Sequence, residues 1–87
     1  MNAVASTGTA VLVFYGGKSE PIDYNPHEHV TALLNHAEDV FRITANRHLM
    51  ALFTESGQEL PDQASIDAAG VKPGETLILR QSAVKGG

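Results

Sequence analysis

The chain has 87 residues, a formal net charge of −4 and a hydrophobic fraction of 43%. A chain of this length forms one domain that buries roughly 60% of its unfolded surface, which leaves little room for an enclosed active site. Because its few lysines and arginines are scattered over an acidic chain, we expect no binding to nucleic acid or to anionic membranes. The chain has no cysteine, so it offers no disulfide, thiol nucleophile or thiolate metal ligand. With no apolar run of about 18 residues and no basic leader pattern, we expect a soluble, cytoplasmic protein.

The first predicted elements form a hairpin. Residues 1–9 are small and polar and are predicted to be a flexible N-terminal arm. Ala10–Tyr15 is rich in β-branched and aromatic residues, which favours a strand. The Gly16-Gly17 pair accepts the positive φ of a tight turn, and residues 19–24 return as a second strand. Because Pro21 has no amide hydrogen, this second strand is predicted to lie at an edge of the sheet.

Helical periodicity follows over residues 30–41. Apolar residues recur on one helical face, namely Val30, Leu33, Leu34, Ala37, Val40 and Phe41. Polar residues, Glu38 and Asp39 among them, fall on the other face and are predicted to be solvated. Asn25 before Pro26 resembles an N-cap followed by a first-turn proline, whereas the apolar stripe begins only at Val30, so the start of the helix is open.

The remaining residues return to strands. Residues 48–54 predict a third strand, and residues 58–60 a short fourth one. Residues 61–75 are turn-rich, with Ile66 and Val71 predicted to fill the core and Gly70 to end a single helical turn. Residues 76–80 predict the last strand, with Leu77 and Leu79 on its inner face. The order of elements predicts a two-layer α+β domain in which one helix covers the sheet.

Several stretches resemble ubiquitin-like proteins of the β-grasp superfamily. They are Gly17-Lys18 in the first turn, "YNPHEHVTALL" before and in the helix, "SGQELPDQASIDAAGV" after the third strand, "GETLILR" as the last strand, and the Gly-Gly end. Their order and spacing carry the resemblance over nearly all of residues 10–87. It implies a mixed sheet of four to five strands packed on one α-helix. The domain would comprise residues 10–81, followed by a flexible tail of residues 82–87.

The Gly-Gly end implies a function. In ubiquitin-like modifiers and related sulfur carriers, an activating enzyme uses ATP to adenylate the carboxylate of a terminal glycine. The resemblance implies that Gly87 is joined to target proteins, that Gly86 keeps the backbone thin, and that Lys85 precedes the pair as in many modifiers. The implied partners are this activating enzyme, the targets, a conjugating enzyme and a deconjugating peptidase. The chain would contribute no catalytic residue and no cofactor.

Two other functions remain open. In a sulfur carrier, Gly87 would become a thiocarboxylate that delivers sulfur to a cofactor or a transfer RNA. In a noncovalent β-grasp interaction module, an edge or face of the sheet would bind a partner and the tail would be incidental. The length of the chain and the segment after the third strand favour the modifier.

The chain departs from ubiquitin on its expected partner-binding surface. The positions that match the apolar surface patch of ubiquitin are Gly16, either Phe53 or Thr54, and Arg80. A guanidinium group there would repel apolar docking surfaces, so receptors of ubiquitin itself are not expected to bind.

Lysine residues are sparse for a modifier that forms chains. Besides Lys85, only Lys18 and Lys72 are present, and these two are the candidate acceptors for further modifier units. Lys18 matches the turn lysine of ubiquitin. These departures favour a divergent, bacterial modifier over ubiquitin itself.

The histidines do not predict a metal site. His27, His29 and His36 lack the i, i+4 spacing of a zinc-binding helix, and His48 belongs to a different predicted element. We therefore expect solvated surface histidines and no metal. No serine or threonine has a base at a plausible relay position, so we expect no enzyme activity.

Overall fold

The computed structural model describes residues 9–86. The predicted N-terminal arm lies outside the described residues except for Thr9, and Gly87 also lies outside them. The elements in chain order are β1 (Ala10–Tyr15), β2 (Lys18–Asp23), α1 (Val30–Val40), a 3-10 turn (Arg47–Leu49), β3 (Met50–Thr54), β4 (Thr76–Gln81) and a short helix, α2 (Ala83–Gly86). No helix within residues 9–86 is long and apolar enough to cross a membrane.

The four strands form one mixed sheet in the order β2-β1-β4-β3. β1 pairs antiparallel with β2 and parallel with β4, and β3 pairs antiparallel with β4. The predicted α+β class, with a mixed sheet and one main helix, is confirmed. β2 lies at an edge, where the missing amide hydrogen of Pro21 costs no hydrogen bond to a further strand.

The core lies between α1 and one face of the sheet. It is built from alternating strand residues and from the apolar face of α1, including Val11, Val13, Leu33, Leu34, Leu52, Leu77 and Leu79. The two predicted core residues of the long loop, Ile66 and Val71, are both buried. The backbone N–H of Ile66 donates to the carbonyl of Glu28 at 2.8 Å, which ties this loop to the segment before α1. The single helical turn predicted before Gly70 is present, since the N–H of Ala69 donates to the carbonyl of Ser65 at 2.9 Å. Gly70 ends this turn with a φ of 90°, and the N–H groups of Gly70 and Val71 donate back to the carbonyls of Asp67 and Ile66.

The structure settles where α1 begins and corrects its polar face. α1 starts at Val30, because the side chain of Asn25 instead accepts the N–H of His27 at 2.9 Å and closes a separate turn. Glu38, predicted to be solvated, is 1% exposed. The reason is tertiary: Arg47, from the 3-10 turn, lies over it with Nε 3.2 Å from Glu38 Oε1. Val40, placed in the apolar stripe, is 38% exposed.

The third strand begins later than predicted. Asn46 has a φ of 60°, in the left-handed region, and residues 47–49 form the 3-10 turn, so β3 starts at Met50 and not at His48. The strand predicted at residues 58–60 is reduced to one bridge between Phe53 and Glu59. Leu60 is nevertheless buried, and its N–H donates to the carbonyl of Leu52 at 2.9 Å.

Candidate functional site

The segment that carries the predicted conjugation residues leaves the sheet at the end of β4. Ser82, the first residue after β4, is 2% exposed. Its N–H donates to the carbonyl of Leu49 at 2.8 Å. Its hydroxyl donates to the Glu59 carboxylate, with Oγ 2.9 and 3.0 Å from the two oxygens. The same Oγ accepts the N–H of Lys85 at 3.1 Å, so Ser82 caps the first turn of α2.

Lys85 folds back onto the domain. Its Nζ lies 2.7 Å from Asp62 Oδ2 and donates to the carbonyl of Met50 at 2.6 Å. The Lys85 side chain is 21% exposed. Residues 82–86 therefore differ from the flexible tail that the sequence predicts, because they form a helical turn packed on the domain. Gly86 lies in α2, and Gly87 lies outside the described residues.

The face of the sheet opposite α1, which we call the outer sheet face, carries the predicted partner surface. Ile78 of β4 is in register with Phe53 of β3 on one side and with Phe14 of β1 on the other. The guanidinium carbon of Arg80 lies 3.7 Å from the centroid of the Phe53 ring. Phe53 is only 5% exposed, so a partner would meet the Arg80 guanidinium above it.

The structure decides between the two alternatives, Phe53 and Thr54, for the position beside Arg80. Thr54 is in register with Leu77, a residue of the inner face. Its Oγ1 accepts the N–H of Gln58 at 3.1 Å, so its hydroxyl serves the turn that follows β3. Phe53, and not Thr54, therefore shares the outer sheet face with Arg80.

A groove of about 410 Å³ adjoins this face. Its lining includes Phe14, Gly16, Glu55, Ile78 and Arg80. Phe14 is 40% exposed, so its ring contributes accessible apolar surface to the groove. Gly16 has a φ of 58°, which a residue with a Cβ rarely adopts. The groove combines apolar walls with one positive and one negative side chain.

The two candidate acceptor lysines, Lys18 and Lys72, are both exposed. Lys18 begins β2, directly after the glycine turn. Lys72 lies in the loop before β4, where its backbone N–H donates to Glu75 Oε1 at 2.9 Å. The ammonium groups of both residues are accessible to a partner.

The histidines form no metal-binding group in the described part of the chain. Within residues 9–86, no group of three histidine, aspartate or glutamate side chains is placed to hold a metal ion. His27 Nδ1 lies 3.9 Å from Asp67 Oδ2. A hydrogen bond from the Ser65 hydroxyl, at 2.7 Å, is the main cause that lowers the pKa of Asp67. The His27–Asp67 contact is exposed on both sides, so it contributes little to stability.

No sequence pattern indicates the contacts that Ser82 and Lys85 make with the domain. Their acceptors, Glu59 and Asp62, belong to a segment more than 20 residues earlier in the chain. No local pattern pairs residues at that separation. The antiparallel pairing of β3 with β4, which sets Gln81 beside Met50, and the bridge between Phe53 and Glu59 place both segments against β3 and so bring them together.

Comparison with known proteins supports the fold. No protein-family model matches the chain, and no curated protein matches its sequence. A chain from a crystal structure of ATBAG1 in complex with HSP70 is 19% identical, with a TM-score of 0.73 over 88% of this chain. The match spans 42% of the length of that chain. A protein designed de novo on the basis of ubiquitin is 16% identical, with a TM-score of 0.74, and the match covers 90% of this chain and 94% of the design. The chain therefore has a ubiquitin-like β-grasp fold.

Proposed function

We propose that this chain is a ubiquitin-like protein modifier whose Gly87 carboxylate is adenylated by a partner activating enzyme and then joined to amines on target proteins. One observation carries this proposal. In the sequence of this ubiquitin-like domain, only residues 82–85 separate the end of the last strand from the Gly86-Gly87 pair. The sparse lysines and the charge of Arg80 favour a divergent, bacterial member of this class.

The chemistry needs a thin, reachable carboxylate. A glycine pair has no Cβ to obstruct a narrow nucleotide site. When extended, residues 82–87 reach about 20 Å at about 3.3 Å per residue, which is enough to enter a cleft while the domain stays outside. In this proposal the chain is a substrate, with no catalytic residue and no cofactor of its own. ATP is bound by the activating enzyme, and a conjugating enzyme and a deconjugating peptidase complete the set of partners.

The outer sheet face is the surface that we propose for the activating enzyme. Because β1 and β4 are parallel, the Gly16-Gly17 turn and the end of β4 lie at the same end of the sheet. A partner that takes the tail would therefore also reach Arg80 and the groove beside Phe14. The Arg80 charge favours a partner that presents a carboxylate there.

The proposal is tested by mass spectrometry of proteins from the native host. Trypsin cleaves after Lys85, so a target amine joined to Gly87 would carry a Gly-Gly remnant. A Lys85→Gln variant assigns that remnant to this chain, because trypsin would then cleave after Arg80 and leave residues 81–87 on the same target lysines. We expect the remnant to lengthen in this way. A remnant that stays Gly-Gly comes from another protein, and the absence of both remnants would overturn the proposal.

The same preparation tests the sulfur carrier. In that function the intact protein would show one oxygen replaced by sulfur at Gly87, and no target-linked species would form. Target-linked species without this replacement favour the modifier.

A second candidate is a noncovalent protein-interaction module. It is favoured by the structural neighbour that occurs in a complex with HSP70 and by the groove on the outer sheet face. Deletion of Gly86 and Gly87 distinguishes the two functions. Covalent adducts must disappear with this deletion, whereas a noncovalent complex formed through the outer sheet face must persist and must be weakened by Arg80→Glu.

A further inference from the structure

We infer that the domain contains a docking site for its own tail, and that this site holds residues 82–86 folded back on the domain until the tail is released. The tail-docking site consists of the Glu59 and Asp62 carboxylates and the carbonyls of Leu49 and Met50. Its occupant is the segment of residues 82–86. The docking itself stands on the contacts below, and only its consequence for conjugation rests on the proposed function.

The first part of the site holds Ser82. This residue is buried, and its N–H and hydroxyl both donate, to the Leu49 carbonyl and to the Glu59 carboxylate. A hydrogen bond to a charged group contributes more than one between neutral groups. Because Ser82 Oγ also accepts the N–H of Lys85, the bond to Glu59 and the turn of α2 support each other.

The second part holds the Lys85 ammonium group. Exposed ion pairs contribute little, but the side chains of Lys85 and Asp62 are only 21% and 28% exposed. Asp62 is placed independently of the tail, since its carbonyl accepts the N–H and the hydroxyl of Thr31 at 3.2 and 3.0 Å. Its Oδ1 is buried and has no hydrogen-bond partner within residues 9–86. Lys85 is therefore the cation that compensates a partly desolvated carboxylate.

The tail-docking site is formed by residues of the folded domain that lie outside the tail. The Leu49 carbonyl comes from the 3-10 turn, the Met50 carbonyl from the start of β3, and the two carboxylates from the segment that begins at the Phe53–Glu59 bridge. Together they form an acidic receptor for a short helical turn that carries one lysine. No other lysine of the described residues contacts it, since Lys18 and Lys72 are exposed elsewhere on the domain.

Docking and activation exclude each other. To extend the tail into an enzyme, Lys85 must leave Asp62 and the turn capped by Ser82 must open. The folded-back form therefore lowers the fraction of chains whose Gly87 is available. A partner that presents its own cationic group to Asp62 would compensate for the loss of Lys85 and favour release.

Limited digestion of the full chain by trypsin measures the docking directly. Cleavage after Lys85 requires its side chain to enter the protease, so it must first leave Asp62, and the rate of loss of Gly86 and Gly87 reports the open fraction. We expect Asp62→Asn to raise this rate by about 5- to 10-fold, because the charge of the bond is lost while the amide oxygen of the variant can still accept from Lys85. Asp23→Asn is the matched control. Asp23 is exposed on β2, so this substitution removes the same charge at a position away from the tail. A synthetic peptide of residues 81–87 gives the rate for a fully open tail.

A variant that simply unfolds is recognised in the same experiment, because it would also be cleaved after Lys18 and Arg42. As a second measurement, the Cα chemical shifts of residues 83–85 should be helical in the wild type and shift toward coil values in Asp62→Asn and in Glu59→Gln. Wild-type cleavage as fast as that of the peptide, together with coil shifts, would overturn the inference. That result would not affect the proposed modifier function. Conversely, the absence of Gly-Gly remnants in the host would contradict the modifier function but not the docking of the tail.

Discussion

Glu38 is a buried carboxylate on the helix that covers the sheet. Its Oε1 accepts the Arg47 guanidinium N–H at a distance of 3.2 Å, while its Oε2 has no hydrogen-bond partner within residues 9–86. Burial raises the pKa of Glu38, and Arg47 only partly opposes this effect. The charged form therefore costs stability, since a buried carboxylate lacks the hydration it has in the unfolded chain.

Glu38→Gln should remove a pH dependence of folding. Because the pKa of Glu38 in the folded state is raised above its ordinary value of 4.5, its contribution to stability is fully present below that value and is lost as pH rises through the folded pKa. Glutamine does not titrate, so the variant should gain stability relative to the wild type from acid to neutral pH. Urea unfolding across this range measures the difference. Glu28→Gln, on an exposed residue, should show no such trend, and parallel curves for Glu38→Gln and the wild type would contradict the prediction.

Arg80 and Phe53 should be energetically coupled. The guanidinium lies 3.7 Å from the ring centroid, and a cation–π contact at an exposed site contributes about 0.5–1 kcal/mol. Arg80→Gln should therefore destabilise the wild type by about this amount and have little effect in a Phe53→Leu background. A double-mutant cycle from urea unfolding measures the coupling. Equal effects of Arg80→Gln in both backgrounds would show that the contact is absent in solution.

At the scale of the elements, α1 is held by its apolar face. Leu33 is 2% exposed and lies in the core. Leu33→Ala should lower the free energy of unfolding by roughly 2–5 kcal/mol, because it removes buried methyl groups and leaves a cavity. His36→Ala, on the exposed face of the same helix, should stay within about 0.5 kcal/mol. Similar small effects at both positions in chemical denaturation would mean that α1 has a different register.

The elements that the sequence predicts well are those with strong periodicity. The alternation in β1 and β4 and the apolar spacing around Leu33 each identify a buried face without knowledge of the partner element. The predicted start of β3 is two residues too early. The apolar run that begins at His48 gives no sign of the left-handed conformation at Asn46 or of the 3-10 turn that follows it. The burial of Glu38 is not predictable from helical periodicity, which only places side chains around the helix axis. Glu38 is buried because the turn that contains Arg47 packs on the polar face of α1.

The candidate site was less predictable than the fold. Matching positions along the last strand identified Arg80, and the register of β3 then selected Phe53 over Thr54. The position of Lys85 could not be derived locally, because Asp62 lies 23 residues earlier in the chain. A terminal pattern of small and polar residues predicts a flexible tail, because the sequence gives no sign of hydrogen-bond acceptors that belong to a distant segment.

On the scale of the whole molecule, one sheet end gathers the features that a partner would use. The parallel pairing of β1 and β4 places the glycine turn, Arg80 and the exit of the tail side by side. Docking of the tail therefore has two effects at this end. It places a cation beside Asp62 in a chain with a net charge of −4, and it keeps residues 82–86 against the domain.

Two nested truncations should separate the tail's contribution to stability from its chemistry. Removal of Gly86 and Gly87 should leave the thermal midpoint almost unchanged, because the contacts to Leu49, Glu59, Asp62 and Met50 are made by Ser82 and Lys85. Removal of residues 82–87 should lower the midpoint by about 4–8 °C, as the loss of about 1 kcal/mol does in a domain of this size. Calorimetry of both proteins beside the full chain provides the measurement. Equal midpoints for all three would mean that Ser82 and Lys85 add nothing to folding, and an equal decrease in both would place the stabilising contacts in the glycines.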